Sequence, residues 1–150
     1  MSGELFSNFD FALFFHLVGV IIGLGAVTVI DTLGFISRKS KSWTQTTIQA
    51  HHVTKPLIWL GTLIILGSWI FILNREGVVT ITFLKSLLLI IMLLNGVFLS
   101  FNISPKLDKL RNKKVLLPKK LQIKIAISMI ISFLSWWSFV ILTFLQIKGL

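Results

Sequence analysis

The chain has no cysteine and no tyrosine among its 150 residues, and only three prolines. Without a thiol there is no disulfide, no thiolate metal site and no cysteine nucleophile. Acidic residues are scarce: five Asp and Glu stand against fifteen Lys and Arg, a formal net charge of +10. The few carboxylates include no pair at a spacing suited to general acid and base work. There is also no HExxH, no glycine-rich phosphate loop and no Ser-His-Asp set in one exposed cleft. A positive excess can signal nucleic-acid binding, but that reading needs basic residues spread over an exposed face. Here they crowd into two short polar segments between apolar runs, so nucleic acid is not an expected partner.

What the chain does have is apolar length. Hydrophobic residues make up 55% and charged residues 13%, with a mean hydropathy of +0.90, a balance foreign to soluble domains. Apolar runs at about 11–36, 56–73, 79–102 and 122–146 approach or exceed the roughly 20 residues that cross a bilayer. Lipid cannot satisfy backbone N–H and C=O groups, and the alternating ten-residue strands of a barrel are absent, so these runs are expected to be helices. The connections are short. The predicted fold is all-α, an integral membrane up-down-up-down four-helix bundle forming one domain over 1–150.

The basic residues set an expected orientation. Arg38, Lys39, Lys41 and Lys55 lie between the first two runs, and Lys106, Lys109, Arg111, Lys113, Lys114, Lys119 and Lys120 between the last two. The positive-inside rule places both segments in the cytoplasm and both termini outside, with a turn at Asn74 to Val78 on the far side. The start, MSGELFSNFD, has no Lys or Arg, and its apolar run lacks a small-residue cleavage site, so it reads as a retained anchor. The lysine- and isoleucine-rich vocabulary fits a bacterium with an AT-rich genome, and the expected location is the bacterial inner membrane. The lipid bilayer is the expected partner, together with anionic headgroups at the basic loops. A homo-oligomer is a further expectation, since four helices enclose little water.

Helical geometry, about 100° per residue, sorts the polar groups. In HLVGVIIGLGAVTVID (16–31), His16, Gly19, Gly23 and Asp31 fall on one face. Glycines at i and i+4 admit a neighbouring backbone or a flat ligand close to the helix axis. Lys85 lies at about the depth of His16, with Met92, Gly96 and Ser100 on its face; it either snorkels or turns inward. Gly61 and Ser68 share a face of the second run, while Ser128, Ser132 and Ser135 form a seam on the fourth, followed by Trp136 and Trp137. Two polar layers are expected: His16, Ser68 and Lys85 outside, and Asp31, Asn95 and Ser128 inside, with His51, His52 and Asn102 at the cytoplasmic edge. Asp31 and Asn95 are candidates for a proton or ion path; the alternative is that Asp31 pairs with a lysine such as Lys55 or Lys124. Pro56 suits the first turn of the second helix or a kink in a longer one.

A histidine early in the first helix, a lysine early in the third within FLKSLLLIIMLLNG (83–96), and four spans in this length resemble the haem-associated, flavin-independent protoporphyrinogen oxidase family. More distantly, they resemble the copper-resistance D family. That resemblance implies haem b with His16 as axial ligand, hence a metal ligand, and Lys85 as an essential basic partner. The chain departs from the family pattern at IDTLGF (30–35), where an arginine-bearing segment is expected, and at Asn95-Gly96, where an aromatic-histidine pair is expected. No second intramembrane histidine stands ready for a bis-histidine cytochrome.

Three functions follow as alternatives. The first is a haem- or porphyrin-binding redox protein using His16, Lys85, Gly19 and Gly23. The second is a small ion, proton or solute transporter using Asp31 and Asn95. The third is a non-catalytic membrane accessory subunit whose polar groups specify helix contacts.

Overall fold

The computed structural model describes residues 8–76, 79–113 and 115–148. Among these there are no strands, and four long helices dominate: α1 (Asn8–Ile36), α2 (Lys41–Glu76), α3 (Thr80–Phe98) and α5 (Lys119–Lys148). A short α4 (Ser104–Asp108) follows α3. Four helical stretches, Phe9–Lys39, Lys41–Asn74, Thr80–Asp108 and Lys119–Lys148, are long and apolar enough to cross a membrane. Residues such as Ile21, Phe35, Leu94 and Phe101 are exposed on the outside of the bundle. In water, so much uncovered apolar surface would drive association. Of the turn expected at Asn74 to Val78, residues 74–76 belong instead to the end of α2, while residues 77–78 and the opening MSGELFS lie outside the described residues.

α2 is longer than its apolar run. A polar connection was expected up to residue 55, but after a single 3-10 turn, Ser37–Lys39, the chain is helical again from Lys41. Pro56 therefore sits inside a long helix. The extension is held by packing: Thr44 and Ile48 are buried one turn apart, and Ile48 joins Ile103, Leu107 and Leu121 in a second apolar cluster beyond the main core. Gln45 clasps the basic turn opposite. Its amide accepts from the Asn112 N–H (3.1 Å) and donates to the carbonyls of Leu110 (3.2 Å) and Lys113. Asn112 takes a positive φ of 66°, a conformation its short polar side chain tolerates.

Between α3 and α4, Leu99–Ile103 forms one wide helical turn, closed by the Ser104 N–H bonding to the Leu99 carbonyl. Pro105 follows directly. A proline ring clashes with the carbonyl four residues back and offers no N–H, so a widened turn just before it relieves both problems.

The helices pack chiefly as α1 on α2 and α3 on α5, with α1 also touching α5. Side-chain partners run in opposite chain order: His16 meets Ser68 while Thr47 meets the Leu33 carbonyl, and Lys85 meets Gln146 while Asn95 meets Ser128. Each of these helix pairs is therefore antiparallel. The main core, Val20, Val27, Ile65, Trp69, Ile72, Leu89, Met92, Trp136 and Phe139, fills the middle.

Candidate functional site

His16 and Lys85 meet at one end of the bundle, each 0% exposed. The hydrogen-bond network assigns the tautomer. The Ser68 hydroxyl donates to the Ile65 carbonyl at 2.9 Å, so its oxygen is left to accept from His16 Nδ1–H at 3.1 Å. His16 Nε2 then carries a lone pair, and Lys85 Nζ donates to it at 3.3 Å. Lys85 Nζ also donates to Gln146 Oε1 at 2.7 Å.

Aromatic rings enclose the ammonium. Nζ stands 4.6 Å from the Trp69 ring centroid and 4.9 Å from that of Phe139, so two electron-rich faces replace part of its lost hydration. The His16 ring stacks on Trp69 at 5.7 Å and tilts against Phe139 at 5.5 Å. Trp69 is fixed in turn by its indole N–H donating to Ser86 at 3.1 Å. Four helices contribute: His16 from α1, Ser68 and Trp69 from α2, Lys85 from α3, and Phe139 and Gln146 from α5. Gln146 and Phe139 were not anticipated from the sequence, since nothing local to α5 marks which of its faces turns toward α3.

The glycine face beside His16 is filled. A Cβ on Gly19 would stand 2.8 Å from the Gly61 carbonyl oxygen, and one on Gly61 would stand 2.7 Å from both the Gly19 oxygen and the Gly23 nitrogen. α1 and α2 therefore touch backbone to backbone. A Cβ on Gly23 would lie 2.0 Å from the Trp136 ring, which rests on the bare helix there. The expected slot for a flat ligand is thus closed by α2 and by Trp136.

Haem b on His16 does not fit this packing. Nε2 is the nitrogen with a free lone pair, but the Lys85 ammonium covers it, and the adjacent small-residue surface carries protein, not open space. Among the described residues no group of three or more His, Cys, Asp or Glu side chains could hold a metal ion.

The second polar layer divides. Asn95 does not join Asp31. It exchanges two hydrogen bonds with Ser128 on α5, Nδ2–H to the Ser128 carbonyl (3.1 Å) and Ser128 Oγ–H to Oδ1 (2.5 Å). Asp31 lies near the basic end, at a cavity of about 80 Å³ whose lining includes Arg38, Thr47, His51, Gln122 and Met129. One Asp31 oxygen, Oδ2, is buried with no hydrogen-bond partner, and no ion pair joins Asp31 to Lys55 or Lys124 among the described residues. The alternative of a lysine partner for Asp31 is corrected accordingly. His51 and His52 diverge, His51 Nε2 to Ser104 Oγ at 2.7 Å and His52 Nε2 to Asp108 at 3.1 Å. Buried Val20, Val27, Ile65 and Trp136 lie between the His16 centre and the Asp31 cavity. The expected interior proton path would have to cross that apolar block.

No protein-family model matches the chain, and neither a curated protein nor a solved structure matches it.

Proposed function

We propose that the protein is a non-catalytic component of a bacterial inner membrane, an accessory or assembly subunit. Its four helices cross the bilayer in alternating directions, with the basic connections in the cytoplasm and both termini outside. The observation that carries this reading is the closure of the His16–Lys85 centre. Both side chains are wholly buried, both imidazole nitrogens are engaged, and the ammonium is hydrogen-bonded and ringed by Trp69 and Phe139. A centre that offers neither a lone pair nor a cleft to an outside molecule is suited to fastening helices. Apolar side chains gain little from packing against one another in lipid, so buried polar contacts and small-residue faces supply much of the specificity of helix association.

The test is reconstitution with co-purification from native membranes. Gly61→Leu should abolish recovery of associated membrane proteins, and His16→Gln, which keeps a polar side chain, should retain them. Catalytic or redox turnover that disappears specifically in His16→Gln would overturn the reading.

A transport reading draws on Asp31, whose unpartnered oxygen at a cavity favours it, but Asn95, closed onto Ser128, lends it no support. Proton-coupled flux in proteoliposomes that vanishes with Asp31→Asn would establish it in place of the accessory role.

A further inference from the structure

A cavity of about 30 Å³ lies among α2, α3 and α5, lined in part by Trp59, Thr62, Asn95, Gly96, Ser132 and Trp136. It shares no residue with the His16–Lys85 centre. Because α2 packs chiefly on α1, and α3 on α5, the cavity sits at the seam where the two helix pairs meet. Trp59 reaches across that seam from α2. Its indole lies beside Gly96, 3.6 Å from a Cβ built there, and its N–H donates to Ser100 Oγ on the wide turn at 3.1 Å.

Two polar atoms reach this cavity without a protein partner. On α5, Ser135 and Thr143 each donate to the carbonyl four residues back, at 2.7 and 2.8 Å. The carbonyl that Ser132 would use in the same way, that of Ser128, accepts from Asn95 Nδ2 at 3.1 Å, and among the described residues the Ser132 hydroxyl has no hydrogen-bond partner. Trp136 presses the benzo edge of its ring on Gly23 of α1, which turns the pyrrole edge and its N–H away from α1. That N–H is likewise unpartnered among the described residues. Ser132 is 8% exposed and Trp136 2%. Neither polar atom is sealed off by its neighbours, so the little surface each keeps belongs to the cavity that both side chains line. A buried hydroxyl and a buried indole N–H with nothing to bond are a standing cost that a ligand of the right chemistry removes.

We propose that this cavity is a binding site for a single water molecule, which accepts from Trp136 Nε1–H and bonds the Ser132 hydroxyl. Size and polarity together select this ligand. Roughly 10–15 Å³ of such space admits one water, which needs about two to four polar partners. An acyl-chain end would leave both groups unmet. Thr62 Oγ gives its hydrogen to the Ile58 carbonyl at 2.8 Å and keeps its lone pairs, and Asn95 keeps a second amide hydrogen beside the one given to Ser128. Both residues line the cavity, so α2 and α3 hold the remaining bonding capacity. The water thereby ties the two helix pairs together in the middle of the bundle, a role that holds for an accessory subunit and for a transporter alike.

The experiment uses the full-length protein, perdeuterated and carrying isotope-labelled tryptophan, in nanodiscs of protonated phosphatidylcholine. Magnetisation transfer to each indole N–H is recorded from water and from the acyl chains, and Trp136→Phe identifies the Trp136 signal. In the wild type that N–H should show a water cross-peak whose laboratory-frame and rotating-frame signs mark a long-lived bound molecule, not hydrogen exchange. The cross-peak should persist in Ser132→Ala, which removes the nearby hydroxyl and keeps the space. It should be lost in Ser132→Val, whose methyl groups take the place of the water. A wild-type spectrum with no water cross-peak at Trp136, or with an acyl-chain cross-peak in its place, would overturn the site without need of any variant that might not assemble. A water cross-peak retained in Ser132→Val would also overturn it, since its source would then be a protein hydroxyl.

Discussion

The Nε2 lone pair of His16 accepts from Lys85 Nζ at 3.3 Å, and the two partners are unequal in what their removal leaves behind. Truncating His16 strips a buried cation of one acceptor and opens a cavity beside it. Truncating Lys85 removes the donor to two neutral acceptors, His16 Nε2 and Gln146 Oε1. His16→Ala should therefore destabilise by about 3 kcal/mol or more, and Lys85→Met by about 1–3 kcal/mol. The His16→Ala/Lys85→Met double variant should lose less than the sum of the two single changes. Equilibrium unfolding in mixed micelles measures all of these, and additive losses would contradict a direct interaction.

Glycine substitutions should separate contact from mere helical position. Gly61→Ala places a methyl against the α1 backbone, where nothing flexible can give way, and should cost about 1–3 kcal/mol. Gly25 and Gly67 have nothing within 4 Å of a built Cβ. Alanine there should be neutral or stabilising by up to about 1 kcal/mol through helix propensity. Thermal inactivation of the purified protein would compare them side by side.

The Asn95–Ser128 exchange fastens α3 to α5 away from the histidine. Ser128→Ala removes the hydroxyl donor to Asn95 Oδ1 but keeps the backbone carbonyl that Asn95 Nδ2–H uses. A loss of about 1 kcal/mol is expected, the scale of one interhelical hydrogen bond in a membrane. Ion or proton flux, if the protein supports any, should be unaffected by this change. A selective loss of flux would restore Asn95 to a transport path.

Because Lys85 covers Nε2 and Trp136 covers Gly23, the purified protein should show no haem Soret band, whether or not haem is supplied during expression. A Soret band present in the wild type and absent in His16→Ala would require the bundle to open around His16, and would favour the oxidase-like reading over an accessory one.

The positions of His16, Ser68 and Lys85 were legible because each follows from counting along a single helix: depth from rise, and face from the 100° turn. The fourth contributor was not. Gln146 and Phe139 enter the centre through the rotation of α5 about its axis, which is fixed by contacts with α1 and α3. The same limit explains Asn95 and Asp31. Depth alone put them in one layer, yet Asn95 faces α5 near Ser128 while Asp31 opens toward cavities whose linings reach Met129. The α2 extension was open only as one of two alternatives at Pro56, with the span beginning at residue 56, because the charged and hydroxylated composition before it resembles a connecting loop. Its one available signal was the helical spacing of Thr44, Ile48 and His51, too sparse to outweigh the polar residues around them. The glycines suggested close approach, but whether the visitor would be a backbone or a flat ring depended on where Gly61 and Trp136 arrived.

The small cluster of Ile48, Ile103, Leu107 and Leu121 gives the molecule two interiors with different physics. On the proposed placement in the bilayer the basic end projects beyond the hydrocarbon, and that cluster is then held together by the expulsion of water, a force that fades on cooling. The larger interior, on the same placement immersed in acyl chains, has no such force to lose. Chilling should thus loosen the grip of the α2 extension on the basic turn while the His16 end stays shut, so that one chain has a temperature-sensitive collar on an insensitive barrel of helices.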